Sequence, residues 1–350
     1  MTNVLRWMGV LVVAVAGVLV APGPARAQGC VCQKQGGPVF GGVGPYIETG
    51  SWQLLLFYRG YQSEEHFRGR ERFIELDANG PRNQQQLTVA SLTWAPSTRL
   101  NLSLSVPVFS NDFDVRRQPP GGGERVWVPI GASGLGDINV QGRYWILDPN
   151  GPHAGGHNIG VSLGVKLPTG RSDRTDEYFG RQVPVDVSIQ TGDGHWGGLT
   201  KLHAFQNAGP ATLFATGTYL FVPGNTTEVP TFFGSLRNPN NTTYNSAADQ
   251  FSVQMGGSVT IIDKWLIPSL AFRVEGVPVS DLFGASDGFR RPGVIGFVEP
   301  GLNFVFGRHL IGVNLAIRSY VNIRDSPTST RVEDATVPKY MVTAGYSVRF

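Results

Sequence analysis

The sequence predicts an all-β fold: an antiparallel transmembrane β-barrel of about twelve strands, preceded by a cleaved signal peptide. Three observations carry this expectation. The chain opens with an export signal, it is rich in glycine and poor in charge with no later apolar run of spanning length, and a two-residue alternation recurs to the terminal Phe350.

Residues Met1 to Val20 carry a single charge, Arg6, before an apolar run from Trp7 to Val20, and Ala25-Arg26-Ala27 then supplies a small-x-small cleavage signature. The run is shorter than the roughly 20 residues that a spanning helix needs. Cleavage after Ala27 is expected to leave residues 28–350. Residues 28–50 read as a flexible periplasmic leader, because Gly36, Gly37, Gly41, Gly42 and Gly44 discourage regular structure. Its Cys30 and Cys32 are the chain's only cysteines, so no disulfide framework holds a core. They read as an oxidisable thiol pair, with lipoprotein-type cleavage before Cys30 as the alternative.

Residues 51–350 carry the barrel. Glycine fills 46 of 350 positions and charged residues only 16%, against averages of about 7% and about 25%. Mean hydropathy is −0.08. A barrel reconciles these values, since each strand shows apolar side chains to lipid and polar or small ones to the lumen. The net charge of +3 gives no case for nucleic-acid binding.

The strands follow in order. Trp52 to Tyr61 leads to a long charged loop, and Gln85 to Trp94 returns to the tight turn Ala95-Pro96-Ser97-Thr98. Arg99 to Ser110 alternates most clearly: Leu100, Leu102, Leu104, Val106 and Val108 oppose Asn101, Ser103, Ser105 and Pro107. A Pro/Gly-rich loop separates it from Asp137 to Leu147, after which Asp148-Pro149-Asn150-Gly151 turns into His157 to Pro168. Gly194 to Gln206, Ala211 to Val222, Asp249 to Ile262, Trp265 to Glu275, Gly293 to Phe306, His309 to Asn322 and Pro338 to Phe350 complete the set. Connections alternate between short and long, as periplasmic turns and outer loops require. Gln182 to Thr191 also alternates, but counting it would place the long 223–249 connection on the short-turn side. It is therefore assigned to an outer loop.

A secreted sandwich or lipocalin-like barrel would alternate in the same way with the faces inverted. The terminal aromatic, with Tyr346, Val348 and Phe350 on one face, and strands of around ten residues favour the membrane version. The last strand is then expected to engage the barrel-assembly machinery of a Gram-negative outer membrane after Sec-type export.

Gly134 and Gly136 read as backbone freedom at the start of a strand, with Asp137 capping the turn. Pro168-Thr169-Gly170 reads as a strand end at the rim, since proline removes a ladder donor. In sequence and spacing, Gly134-Leu135-Gly136-Asp137, Leu167-Pro168-Thr169-Gly170 and Gln190-Thr191-Gly192-Asp193-Gly194 resemble the phenol meta-pathway family of outer-membrane transporter-like proteins. In that family a Gly-Leu-Gly-Asp turn opens a strand, the next strand ends in Leu-Pro-Thr-Gly, and a Gln-x-Gly-x-Gly precedes the following one. The resemblance implies an outer-membrane transporter or channel, in some members linked to aromatic degradation, and no catalysis by the barrel itself.

The six histidines are scattered without metal-ligand spacing, and no motif nominates a nucleophile, a cofactor or a metal. The stronger lead is charge at strand positions: Arg59, Arg99, Arg143, Lys166, Lys201, Arg273 and Arg318, with Arg349 in the last strand. Facing inward they line the lumen with cations and attract anionic solutes; paired with internal carboxylates they plug it. Trp52, Trp94, Trp145, Trp196, Trp265 and Tyr346 suit interfacial girdles. The leading expectation is a channel for uptake of small molecules, aromatic or hydrophobic compounds among them. A plugged structural or surface-interaction barrel and an outer-membrane enzyme stand as alternatives.

Overall fold

Alternating apolar and polar residues leave each long segment two unlike faces, and closing the segments side by side hides the polar one. Twelve antiparallel strands do this: β1 (Trp52–Ser63), β2 (Arg82–Trp94), β3 (Leu100–Arg117), β4 (Asn139–Trp145), β5 (His157–Lys166), β6 (Gly197–Ala208), β7 (Ala211–Phe221), β8 (Gln250–Val259), β9 (Leu266–Val277), β10 (Gly293–Phe306), β11 (His309–Ile323) and β12 (Tyr340–Arg349). Each pairs with its neighbour in the chain, and β12 pairs with β1 to close the barrel. The computed structural model describes residues 45–151, 156–238, 240–262, 265–326 and 334–350. The expected signal peptide, the cleavage point, Cys30, Cys32 and the leader up to residue 44 lie outside these residues.

Closure leaves no unpaired edge for another chain to join. Trp52 and Phe350 exchange backbone hydrogen bonds of 2.7 and 2.9 Å, and Leu54 and Leu56 stand opposite Val348 and Tyr346. The side chains decide which solvent the outer face meets. Val108 is 48% exposed while its neighbour Phe109 is 3% exposed, and Leu102, Leu104, Val140, Leu163, Leu270, Val313 and Val342 join the exposed row. A water-soluble barrel would bury that row; leaving so much aliphatic surface in water costs about 25 cal/mol per Å². The exposed belt is that of a bilayer-spanning barrel.

Aromatic pairs edge the belt on the side of the chain ends. Trp52 stacks on Trp94 at 6.0 Å, Trp265 on Phe304 and Phe306 at 6.2 Å, and His309 on Tyr346 at 5.9 Å. Trp145 departs from the expected girdle. It shares the inward parity of Asn139, Gln141 and Arg143 and is 2% exposed. Its ring lies over Gly160, where a Cβ would come within 2.8 Å of it.

The connections 95–99, 209–210 and 307–308 lie on one side, and the described parts of the long loops lie on the other. Strand β3 runs beyond the expected Ser110 because Val126–Val128 and Gly131–Leu135 pair with its upper part. Within residues 182–191 only the start is a strand: Arg181–Pro184 pairs with Thr175–Tyr178, outside the barrel sheet. The alternation there reflects a loop core, in which Val183, Val185 and Ile189 pack with Phe113, Ile130 and Phe232. In β11 the register shifts, Gly296 facing Tyr320 and Phe297 facing Arg318. This bulge absorbs Ser319, so both Arg318 and Val321 keep inward positions.

Candidate functional site

Inward rows of the wall carry small polar side chains. Ser91 and Ser105 share a hydroxyl hydrogen bond of 2.8 Å, as do Thr93 and Ser103. The expected cations divide into distinct groups against this lining. Arg273 pairs with Glu275 and, at 2.7 Å, with Glu299, and its guanidinium also reaches the Met341 sulfur on β12. Arg318 pairs with Glu65 of the first outer loop. Arg59 is inward and buried, in register with Leu87 and Thr343. Arg349 occupies the inward row of β12 and lies near Glu48.

Arg99 is not in the lumen. It precedes β3, donates to the Trp145 and Ile146 carbonyls at 3.1 and 2.5 Å, and stacks on Tyr144 of the lipid-facing row. A cation at the rim tops an apolar row and reaches water, as its place one residue outside the strand allows.

Lys166 is fully buried, bonded to Asp137 at 3.1 Å, to Asp193 at 2.5 Å and to the His195 carbonyl at 2.7 Å. These acids belong to two of the glycine motifs, and Lys166 directly precedes the other. Asp137 accepts the Gly170 N–H at 2.9 Å, so it anchors the neighbouring motif instead of capping its own turn. Thr169 donates to the Gly136 carbonyl and accepts the Ile138 N–H. Gly192 passes so close that a Cβ there would meet Gly170 carbonyl carbon at 2.6 Å and Asp137 Oδ1 at 2.7 Å. Gly134 has φ 136°, whereas Gly136 is required by the Phe109 ring, 2.4 Å from where its Cβ would stand. The joined motifs hold the Pro168-Thr169-Gly170 segment and the Gln190 to Gly194 segment against the wall. Gln190 adds bonds to Arg174 N and O, and Gly194 turns at φ 79°.

Arg143 and Lys201 differ from these groups. In register, Asn101, Arg143, Ser162 and Lys201 follow one another across β3, β4, β5 and β6. Arg143 donates to Asn101 Oδ1 at 2.7 and 3.2 Å and stands over Trp145 at 5.0 Å. His203 bonds Ser162 at 3.1 Å. Among the described residues no carboxylate lies within ion-pair distance of Arg143 or Lys201.

Each end of the lumen is occupied by chain. Tyr46 packs edge-on against Trp145 and Phe205 at 5.3 and 5.5 Å, accepts a hydrogen bond from Asn158 at 2.8 Å, and is followed by buried Ile47. Tyr46 and Ile47, within the expected leader, are therefore seated inside the wall. At the other end Asp186 is clamped by Arg291 at 2.5 and 2.6 Å, and Ser188 receives Asn83 and Gln85 of β2. Sequence reasoning missed both seats. Tyr46 is one aromatic beside glycines, and Asp186 gives no signal that it meets Arg291, 105 residues away.

No protein-family model matches the chain, and no curated protein matches it. Among solved structures, the COG4313 outer membrane channel from Pseudomonas putida F1 superposes with a TM-score of 0.57 at 13% identity, covering 95% of this chain and 100% of that one. A Pseudomonas aeruginosa FadL homologue aligns with a TM-score of 0.39 at 8% identity, over 87% of this chain and 90% of its own. The β-domain of the Bordetella autotransporter BrkA aligns at 0.42 and 12%, over 86% and 100%. The chain thus has the fold of an outer-membrane channel.

Proposed function

We propose that this chain is an outer-membrane channel or facilitator for small molecules, with aromatic or hydrophobic compounds among its solutes. The observation that carries the reading is Arg143 and Lys201, inward and without a carboxylate partner among the described residues, in a wall whose inward rows mix hydroxyl and amide side chains with apolar clusters. The resemblance of the glycine motifs to the phenol meta-pathway family supports the same reading and suggests aromatic compounds. The chain would reach a Gram-negative outer membrane by Sec-type export and insert through its last strand, where Tyr346, Val348 and Phe350 lie on the lipid side.

A second reading, a plugged barrel that carries no solute, draws on the seats at Tyr46 and Asp186. Purified full-length protein in planar bilayers separates the two. The channel reading expects discrete conductance steps in potassium chloride and solute flux in liposomes. A folded, inserted barrel with neither current nor flux contradicts it.

A further inference from the structure

Two cations side by side without a counter-charge are costly in a partly desolvated wall, because each loses hydration and repels the other. Arg143 and Lys201 hold this arrangement. They occupy the same register on β4 and β6, either side of Ser162 on β5. At the usual strand spacing their backbones stand about 10 Å apart, with the buried Ser162, bonded to His203, between them. Both side chains are half-buried, so each still faces accessible space. The Lys201 ammonium makes no hydrogen bond or ion pair within the described chain. Arg143 is steadied by Asn101, with donors to spare. One register step toward the chain ends, Trp145 and His203 flank Gly160, and beyond them lie Phe205 and Phe214.

We infer that Arg143 and Lys201, the half-buried cations either side of Ser162, form a carboxylate-binding site in the lumen wall. The guanidinium supplies a planar fork suited to a carboxylate. Lys201 supplies a second positive charge from the opposite side. A carboxylate seated there replaces the missing counter-charge. An organic cation meets repulsion at the same place. The site rests on the channel reading for its role in transport, but its existence does not.

The test uses the full chain folded in detergent micelles, its fold checked by heat-dependent gel mobility, and isothermal titration with sodium benzoate. Benzylamine hydrochloride and sodium acetate serve as comparisons. Benzoate and acetate are both expected to bind, and benzylamine not at all. Arg143→Gln and Lys201→Gln are each expected to weaken benzoate binding about tenfold or more, the scale of a lost charge-assisted hydrogen bond, while Lys201→Arg retains it. Should one glutamine variant fail to fold, the other carries the comparison. Absence of benzoate binding, equal binding of benzylamine, or binding that the folded glutamine variants leave unchanged overturns the site. Bilayer recordings on the same preparation keep the two ideas apart. Benzoate binding that depends on Arg143 and Lys201 without any current leaves the site and removes transport, whereas current without benzoate binding does the reverse.

Discussion

Lys166 sets the scale of what one buried charge demands. Its stem ends in a pocket with no solvent contact, and its ammonium is accommodated because Asp137, Asp193 and the His195 carbonyl surround it. Removing one member of a buried pair leaves the partner desolvated and uncompensated, at a cost of about 3–5 kcal/mol. Lys166→Met is therefore expected to lower the temperature at which the folded band disappears in gel mobility, and Lys166→Met with Asp137→Asn to recover part of the loss. A single variant as heat-resistant as the parent contradicts the structural role. Lys166 stood out in the sequence as a charge at a strand end, but its partners did not, because they lie 29 and 27 residues away. Trp145 was readable from parity alone: it follows Arg143 on the inward row, and only the general preference of tryptophan for interfaces argued otherwise.

At the scale of elements, alternation and connection length made the wall legible. Apart from the upper end of β3, which runs to Arg117 instead of Ser110, each long strand was foreseen within a few residues, because the two-residue period is local and the alternation of short and long connections constrains which segments can cross. Loop structure was not legible, since it depends on distant partners such as Asn83 with Ser188 and Glu65 with Arg318. The loop at 167–196 yields a pH prediction. Burial pushes the Asp186 carboxyl up, but the Arg291 charge and the Arg291 and Ser188 hydrogen bonds outweigh it and hold the group below the ordinary aspartate range. A carboxyl depressed in the folded state stabilises above its unfolded value, about 3.9, and loses that contribution as pH falls through the lower folded value. Limited proteolysis of this loop is thus expected to stay constant from pH 7 to pH 5 and to rise only below about pH 4. Release near pH 6 contradicts the clamp. At the opposite end Tyr46 seats the segment before β1 against Trp145 and Phe205. Tyr46→Ala is expected to raise single-channel conductance or open probability in planar bilayers, and an unchanged trace would mean that this segment does not restrict passage.

For the whole molecule, sequence and structure agree on which face is greasy, and that orientation places the barrel in a bilayer. Leu104 is 44% exposed, midway along the part of β3 that faces lipid. Arginine there should cost about 2–4 kcal/mol near mid-membrane, so Leu104→Arg is expected to reduce the folded, membrane-inserted fraction. Inserted yield equal to that of the parent would argue that the exposed row does not face lipid. Composition could not report how the lumen is divided, because the same cations serve as paired anchors at Lys166, Arg273 and Arg318 and as unneutralised groups at Arg143 and Lys201. The central claim, a closed membrane barrel, is tested most directly by fractionating an expressing Gram-negative host and comparing boiled with unboiled outer membranes by gel mobility. The account expects the chain in that fraction with a heat-dependent shift; recovery as a soluble periplasmic protein whose mobility heating does not change would contradict it.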